Sequence, residues 1–244
     1  MTDVARRWEL ALARMASIGP PPEDPSDVAT TLERVCMTVV ELIGASGAGV
    51  SLMADQASPG FAAASDASSR ALEELQFTLG EGPCIEAFGT GRPVLVPDLS
   101  DGHRRRWPLY ASAAQDLGVR AVFAFPIQVG ASRLGVLDVF CHQVGVLTAE
   151  QVGQAITLAD IALMVILDGQ QAAPPGAIPK GFDQAPGFRA EVAQAQGMIM
   201  VQLGVSLTEA LVRLRAYAYA ENRPVSDVAR DVVNRRLRFD GDTS

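Results

Sequence analysis

Apolar side chains recur every three or four positions near the start of the chain, at Val4, Trp8, Ala11, Leu12 and Met15, and again at Leu32, Val35, Val39, Leu42 and Ile43. That spacing puts each set on one helix face, so the chain opens with two amphipathic helices, the first over 3–17. The segment GPPPEDPS between them stops one helix and starts the next. From Gly47 the texture changes to short apolar runs, AGVSLM, FAAAS, RPVLVPDL, VRAVFAFPIQV and RLGVLDVFC, separated by Gly, Pro, Asp or Ser. These are strand signals, and the short Gly-containing turn in QVGASRLG, 128–135, joins two of them as an antiparallel hairpin. Helical spacing returns at 66–77, at 104–117 and over 149–167, where Thr148 with Gln151 three residues later forms a capping box. The order helix, strand, strand, helix, strands, helix describes an α+β domain with flanking helices on one antiparallel sheet.

The pattern breaks at 168–188, where glycines, prolines and small residues replace any period, as in a linker. Beyond it every pattern is helical. Val192, Ala195, Ile199 and Leu203 share one face, and Gly204 ends that helix. Ser206 and Glu209 form a second capping box ahead of the stripe Ala210, Leu211, Leu214, Tyr217 and Ala218. Ser226 or Asp227 is placed to cap a third helix with Val228, Ala229, Val232 and Val233 inside. The predicted organisation is an N-terminal helix at 1–25, the α+β domain at 26–168, a linker at 169–187, a three-helix all-α domain at 188–239 and a tail at 240–244. Three short helices are close to the size at which a core alone is marginal, so the small domain is expected to lean on the first domain or on another copy.

Composition narrows the function classes. The chain of 244 residues is 48% apolar and 20% charged, enough for packed cores and outside the disordered range. Polar residues interrupt every apolar run at the N-terminus, so no secretory signal is expected there, and LADIALMVILDG is too short and carries Asp160, against a membrane span. Cys36, Cys84 and Cys141 are an odd number at wide spacing, which fits free thiols in a cytoplasmic protein rather than disulfides or a zinc site. The net charge is −8, yet it is uneven: residues 1–187 carry −9, whereas 188–239 carry +3 with eight arginines and five acidic groups. Arginine suits planar bidentate partners such as phosphate and guanine edges.

Residues 192–237, with Ala195, Gly197, Met200, Leu203, Gly204, Ala210, Leu214, Arg215, Ala218, Val228, Ala229 and Val233 in place, resemble an ANTAR domain. That resemblance implies a three-helix RNA-binding output module of a bacterial antitermination regulator. One departure is Gln196, where the family usually carries lysine. Residues 26–168 resemble a GAF domain, a sensing and dimerising α+β fold, in TLGEGPCIEAFGTGRPVLVPDL and in the FPI and LGVLDVF strands; GEGPC and the W-P-x-Y piece are similar to actinobacterial GAF–ANTAR proteins. The NKFDE-like tetrad of cyclic-nucleotide-binding members and the Cys-His pair of bilin-binding members are missing. A small-molecule signal for this domain is implied only in general terms, and no cofactor is.

The candidate RNA-binding residues are Gln194, Gln196, Arg213, Arg215, Tyr219, Arg223, Arg230, Arg235 and Arg236. The arginines fall off the apolar stripes, so they are expected to reach solvent and phosphate, with Tyr219 and Asn222 beside them for loop bases. Taken without the resemblance, the same set reads as a solvated face, and Tyr217 as packing. A DNA-binding helix-turn-helix is the neighbouring alternative, against which the modest basic excess speaks. In GEGPC, 80–84, the glycines shape a turn and Cys84 reads either as a small buried group or as a thiol activated at a helix start. The second reading keeps a GAF-fold thiol-dependent reductase open as the alternative to a homodimeric RNA-binding regulator that grips pairs of hairpins. Glu86 and Asp98 read either as a general acid and base or, being isolated, as caps or solvent-facing carboxylates, and the basic run HRRRW at His103 as a loop cap against the acidic surface or as an anion contact; no metal spacing or catalytic set is visible.

Overall fold

The computed structural model describes residues 2–24, 27–53, 59–100, 102, 105–172, 184–221 and 223–239. His103, Asn222, the tail 240–244 and the central linker residues 173–183 lie outside them. Helices α1 (Asp3–Ile18) and α2 (Val28–Ile43) precede strands β1 (Gly47–Met53) and β2 (Pro59–Ala64). Helices α3 (Ala67–Leu79) and α4 (Pro83–Thr90), strand β3 (Val94–Val96), helix α5 (Pro108–Asp116), strands β4 (Ala121–Val129) and β5 (Ser132–Cys141) and helix α6 (Ala149–Ala172) follow. The five strands form one antiparallel sheet in the order β2-β1-β5-β4-β3, with β4 and β5 joined as the expected hairpin.

Strand alternation divides the core into two layers. Ala48, Val50 and Leu52 of β1, Phe123, Phe125 and Ile127 of β4 and Leu137 and Val139 of β5 meet α1, α2 and α6. Val122 and Ala124 of β4 and Val136 and Phe140 of β5 point the other way, into a layer with α3, α4 and α5. Both sheet faces are covered, which is why the strands read as near-continuous apolar runs. The first helix shares this core through Ala11 and Met15, and buried Arg34 donates to the carbonyls of Met15 (2.8 Å) and Gly19 (2.7 Å), tying the end of α1 to α2.

The capping box at α6 forms in both directions: the Gln151 amide N–H donates to Thr148 Oγ1 (3.2 Å) and the Thr148 N–H to Gln151 Oε1 (2.8 Å). Among the described residues α6 is the one single helix long and apolar enough to cross a membrane, and half of its apolar window is buried in the protein, as in a core helix. Close approach between β1 and β5 rests on Gly135, where an added Cβ would lie 2.2 Å from the Ser51 carbonyl oxygen. Gly135→Ala is therefore expected to force the strands apart and to remove about 1–3 kcal/mol of stability, read as a lower denaturant midpoint.

Helices α7 (Gln184–Leu203), α8 (Leu207–Ala220) and α9 (Val225–Val233) form the C-terminal unit. Helix α6 runs four residues and α7 starts four residues inside the stretch read as linker. Gly204, at φ +66°, ends α7, and the chain turns by 104° into α8. Ser206 caps α8 by accepting the Glu209 N–H (3.2 Å), but Glu209 does not return the bond; it pairs instead with Arg213 one turn on, so only half of the expected box forms. The third helix starts earlier than expected, with Pro224 at the cap, because its fixed φ already suits a helix entry; Ser226 and Asp227 fall within the first turn. The core of this unit is Val192, Ala195, Ile199, Leu211, Leu214, Val228 and Val232, completed by Phe77 from α3. The small unit does lean on the first, as its size suggests.

Candidate functional site

The nine candidate RNA-contacting side chains divide between two surroundings. Gln194, Arg213, Arg230, Arg235 and Arg236 are exposed. Arg213 pairs with Glu209 (3.7 Å), Arg230 with Asp227 (3.1 Å) and Glu191 (3.4 Å), and Arg236 with Asp231 (3.9 Å). Such exposed pairs are each worth about 0–1 kcal/mol, so they can be exchanged for phosphate. Arg235 sits at φ +59°, where the chain leaves α9.

Of the others, Arg215 turns toward the α+β domain, Tyr219 is exposed at the rim of the cleft between the units with Arg223 beside it, and Gln196 bonds within its own unit. The Arg215 guanidinium lies over the Phe77 ring, 5.1 Å from its centroid, and its Nε and Nη2 have no hydrogen-bond partner. Burial pulls its pKa down to about 10, because the charged form has lost water without gaining an anion. Gly80 at φ +68° leaves room for it; an added Cβ would stand 2.8 Å from Arg215 Nη1. Tyr219 and Arg223 line a cleft of about 280 Å³ whose far wall is Ala71, Leu75 and Leu117. Arg223 also donates to Asp231 (2.6 Å), fastening the end of α8 to α9; that bond raises its pKa. Gln196 Nε2 donates to the Leu207 carbonyl (2.7 Å), so the amide in place of the family's lysine joins α7 to the start of α8. Tyr217 packs edge-on against Phe239.

A second constellation lies on the α3 side of the sheet. Glu73 from α3, Cys84 from α4 and Asp138 from β5 bring a carboxylate, a thiol and a carboxylate together, each ligating atom within 4.8 Å of the other two, all buried. The face of β1 beneath them carries Gly47, Gly49 and Ser51, and Gly49 is opposite Asp138 in the register. A Cβ on Gly49 would stand 2.4 Å from Glu73 Oε1, so the glycine makes the space that the carboxylate occupies. Ser51 Oγ donates to Glu73 Oε2 (2.6 Å) and Gln76 Nε2 to Asp138 Oδ2 (3.4 Å), while Gln76 Oε1 accepts the Cys84 N–H (2.8 Å). Burial pushes Glu73 well above the ordinary carboxyl range, with the Asp138 charge adding to it, and lifts Asp138 to about 6 against its own hydrogen bonds.

The GEGPC segment builds this corner. Gly80 closes α3 in the left-handed region, and Gly82 at φ +137° leaves room for Gln76 Oε1, which an added Cβ would approach to 2.5 Å. Glu81 Oε1 accepts the N–H groups of Leu109 (2.7 Å) and Tyr110 (2.9 Å) in the first turn of α5. The turn-forming role of the glycines holds. Cys84, however, is not simply one more apolar filler, because two carboxyl groups adjoin it. Burial pushes its thiol well above the ordinary range, and the neighbouring Asp138 and Glu73 charges push further, overriding any helix-start activation. Native protein at neutral pH is expected to leave Cys84 unalkylated by iodoacetamide while half-buried Cys141 reacts first, as peptide mapping would read. Rapid labelling of Cys84 would revive the reductase reading. Elsewhere Glu86 pairs with Arg106 and Asp98 caps the turn at Ser100 (2.9 Å), so neither adjoins the cluster.

Comparison with known proteins identifies the two domains that carry these residues. The GAF domain description matches residues 25–167, more than half of the chain. The chain belongs to the GAF family. An ANTAR domain follows at residues 184–233, which makes the arrangement that of a GAF–ANTAR antitermination regulator, a signal-sensing domain with an RNA-binding output domain. Among solved structures, the GAF domain of a phosphoenolpyruvate-protein phosphotransferase from Coxiella burnetii is 15% identical, covering 70% of this chain and 98% of its own, with a TM-score of 0.50. The corresponding Acinetobacter domain is 12% identical over 71% of this chain and 99% of its own, also at 0.50. Free methionine-R-sulfoxide reductase from Neisseria meningitidis, solved in complex with its substrate, is 17% identical over 71% and 95%, at 0.49. These likenesses concern the GAF fold alone. No curated protein matches the chain.

Sequence spacing gave no sign of the Glu73, Cys84 and Asp138 cluster, since its members come from three separate elements. Two local signals do exist. Asp138 interrupts a strand, LGVLDVF, that is otherwise apolar on both faces, and Glu73 falls on the α3 stripe with Leu72, Gln76 and Phe77.

Proposed function

We propose that this protein is an RNA-binding antitermination regulator whose ANTAR domain grips RNA hairpins under the control of its GAF domain. The observation carrying this reading is the succession of the two domains together with exposed arginines on α8 (Arg213), on α9 (Arg230) and just beyond it (Arg235 and Arg236). A local excess of three positive charges is weak for one head. Two copies joined through their GAF domains, one binding each hairpin of a pair, raise the effective concentration at the second site enough to compensate. Exposed Val4, Leu10 and Leu12 on α1, with Ile156 and Met164 on α6, supply the apolar surface for that homodimer.

Control runs through the docked face. Arg215 is held against Phe77 of α3, while Tyr219 and Arg223 border the cleft beside it, so engagement of Arg215 by RNA requires the ANTAR domain to come away from Phe77. The buried guanidinium, stabilised by the ring but lacking a hydrogen-bonded anion, disfavours the docked state and is rewarded by a phosphate when released. A signal received by the GAF domain acts by moving this balance. The test is to recover and sequence RNA bound to the full chain, then titrate a recovered hairpin pair at several salt concentrations. Tight binding to paired hairpins with a steep salt dependence is expected; indifference to stem-loops at low ionic strength defeats the reading.

A further inference from the structure

We infer that Glu73, Cys84 and Asp138 form a site for one transition-metal dication of the zinc or ferrous class, held inside the GAF domain between α3, α4 and β5. The geometry that carries this is the division of labour within each carboxyl group. Glu73 Oε2 is held by Ser51 and Asp138 Oδ2 by Gln76, while Glu73 Oε1 and Asp138 Oδ1, both in buried residues, receive no donor from outside the cluster and are left to the protons that Glu73, Cys84 and Asp138 share with one another, the protons a metal ion would displace. Outer donors that fix one oxygen and leave its twin open are how carboxylate ligands are oriented toward a metal. Gln76 also anchors the Cys84 N–H, so a single amide sets the positions of two of the three groups.

A second, independent pointer is Tyr110. Its side chain is fully buried, its hydroxyl has no partner, and it lies close enough for the charges of Asp138, Glu73 and Cys84 to act on it. Its unpartnered hydroxyl is the candidate for a fourth oxygen on the α5 side. Two carboxylates, a thiolate and a phenol oxygen form a mixed hard and soft set, which fits Zn²⁺ or Fe²⁺ rather than Mg²⁺ or Ca²⁺. No arginine reaches either carboxyl group among the described residues, so the cluster holds acidic groups with no protein cation to balance them. On binding, the thiol proton and any carboxyl proton leave to solvent while the metal–sulfur and metal–oxygen bonds form; no electrons move.

This inference stands apart from the RNA reading and is tested on the full chain. Protein purified without chelator is expected to hold about one zinc or iron per chain by elemental mass spectrometry. After stripping, Co²⁺ should produce a thiolate-to-cobalt charge-transfer band that saturates at one equivalent, and Zn²⁺ should raise the Tm. Cys84→Ser should lose the band and the Tm rise, Cys36→Ser on the opposite sheet face should keep both, and Asp138→Asn should weaken Co²⁺ binding at least about tenfold. Far-ultraviolet circular dichroism checks that each variant folds, and the wild-type titration decides the matter even where one does not. Absence of both the band and the Tm shift in the wild type overturns the proposal and leaves the two carboxyl groups sharing a proton. A band that survives Cys84→Ser but disappears with Cys141→Ser places the ion at the strand end and overturns it equally. RNA binding by a chain that takes up no metal would overturn this inference alone.

Discussion

Replacing Arg213 and Arg236 together by glutamate is expected to weaken hairpin binding by on the order of a hundredfold while leaving the fold intact. Both side chains are exposed, and their ion pairs, with Glu209 at 3.7 Å and Asp231 at 3.9 Å, are long and solvated. Losing them removes little stability. Losing them from an RNA surface is different, because each reversal deletes a phosphate contact and adds a repelling charge to a chain already at −8. The log–log salt slope should fall by about one per arginine removed, or about two for the pair. Fluorescence anisotropy over a salt series reads both quantities. Unchanged affinity and slope would remove these residues from the interface. Arg215 is a poor choice for the same experiment, since a carboxylate buried over Phe77 would disrupt the domain contact as well as the charge.

The strands were legible because the period of two and the apolar runs are local properties, and so was the α6 start, where both halves of the capping box lie within four residues. The helix boundaries around the linker were less so. The extension of α6 beyond residue 168 and the start of α7 at Gln184 fall among small residues and prolines whose spacing carries no helical signal. The nine candidate residues show the same limit more sharply. Helical spacing placed their arginines off the apolar stripe of their own domain, and for Arg213 and Arg230 that means solvent. For Arg215 it means the neighbouring domain, because the stripe says which face is inside a helix bundle and nothing about what covers the outside. Gln196 likewise reads as a lost cation in sequence, and only the fold reveals its bond to the Leu207 carbonyl. The buried cluster depends on juxtaposing residues 73, 84 and 138, which no window of sequence contains.

Phe77→Ala is expected to move RNA affinity in the opposite direction from the arginine reversals. The ring belongs to α3 of the GAF domain, is 5% exposed, and completes the core of the ANTAR domain while supporting Arg215. Truncating a buried phenylalanine removes about 3–5 kcal/mol in all, and here part of that loss falls on the docked arrangement and the rest on the packing of α3 itself. Each domain keeps its own core: the sheet layers retain Phe123, Phe125 and Leu137, and the three helices retain Ile199, Leu214 and Val228. Undocking exposes Arg215, and with it the cleft that holds Tyr219 and Arg223, so hairpin affinity should rise several-fold to about tenfold, the gain that about 1 kcal/mol or slightly more of released docking energy allows. Adding Arg215→Ala to Phe77→Ala should cancel the gain if the freed guanidinium is its source. Amide hydrogen exchange provides the structural check, with protection lost along α3 and the facing side of α8 and retained in β4 and β5. A variant that undocks by this measure yet binds RNA no better than the wild type would show that α3 does not mask the RNA-binding face, and control by the GAF domain would then have to act through the dimer.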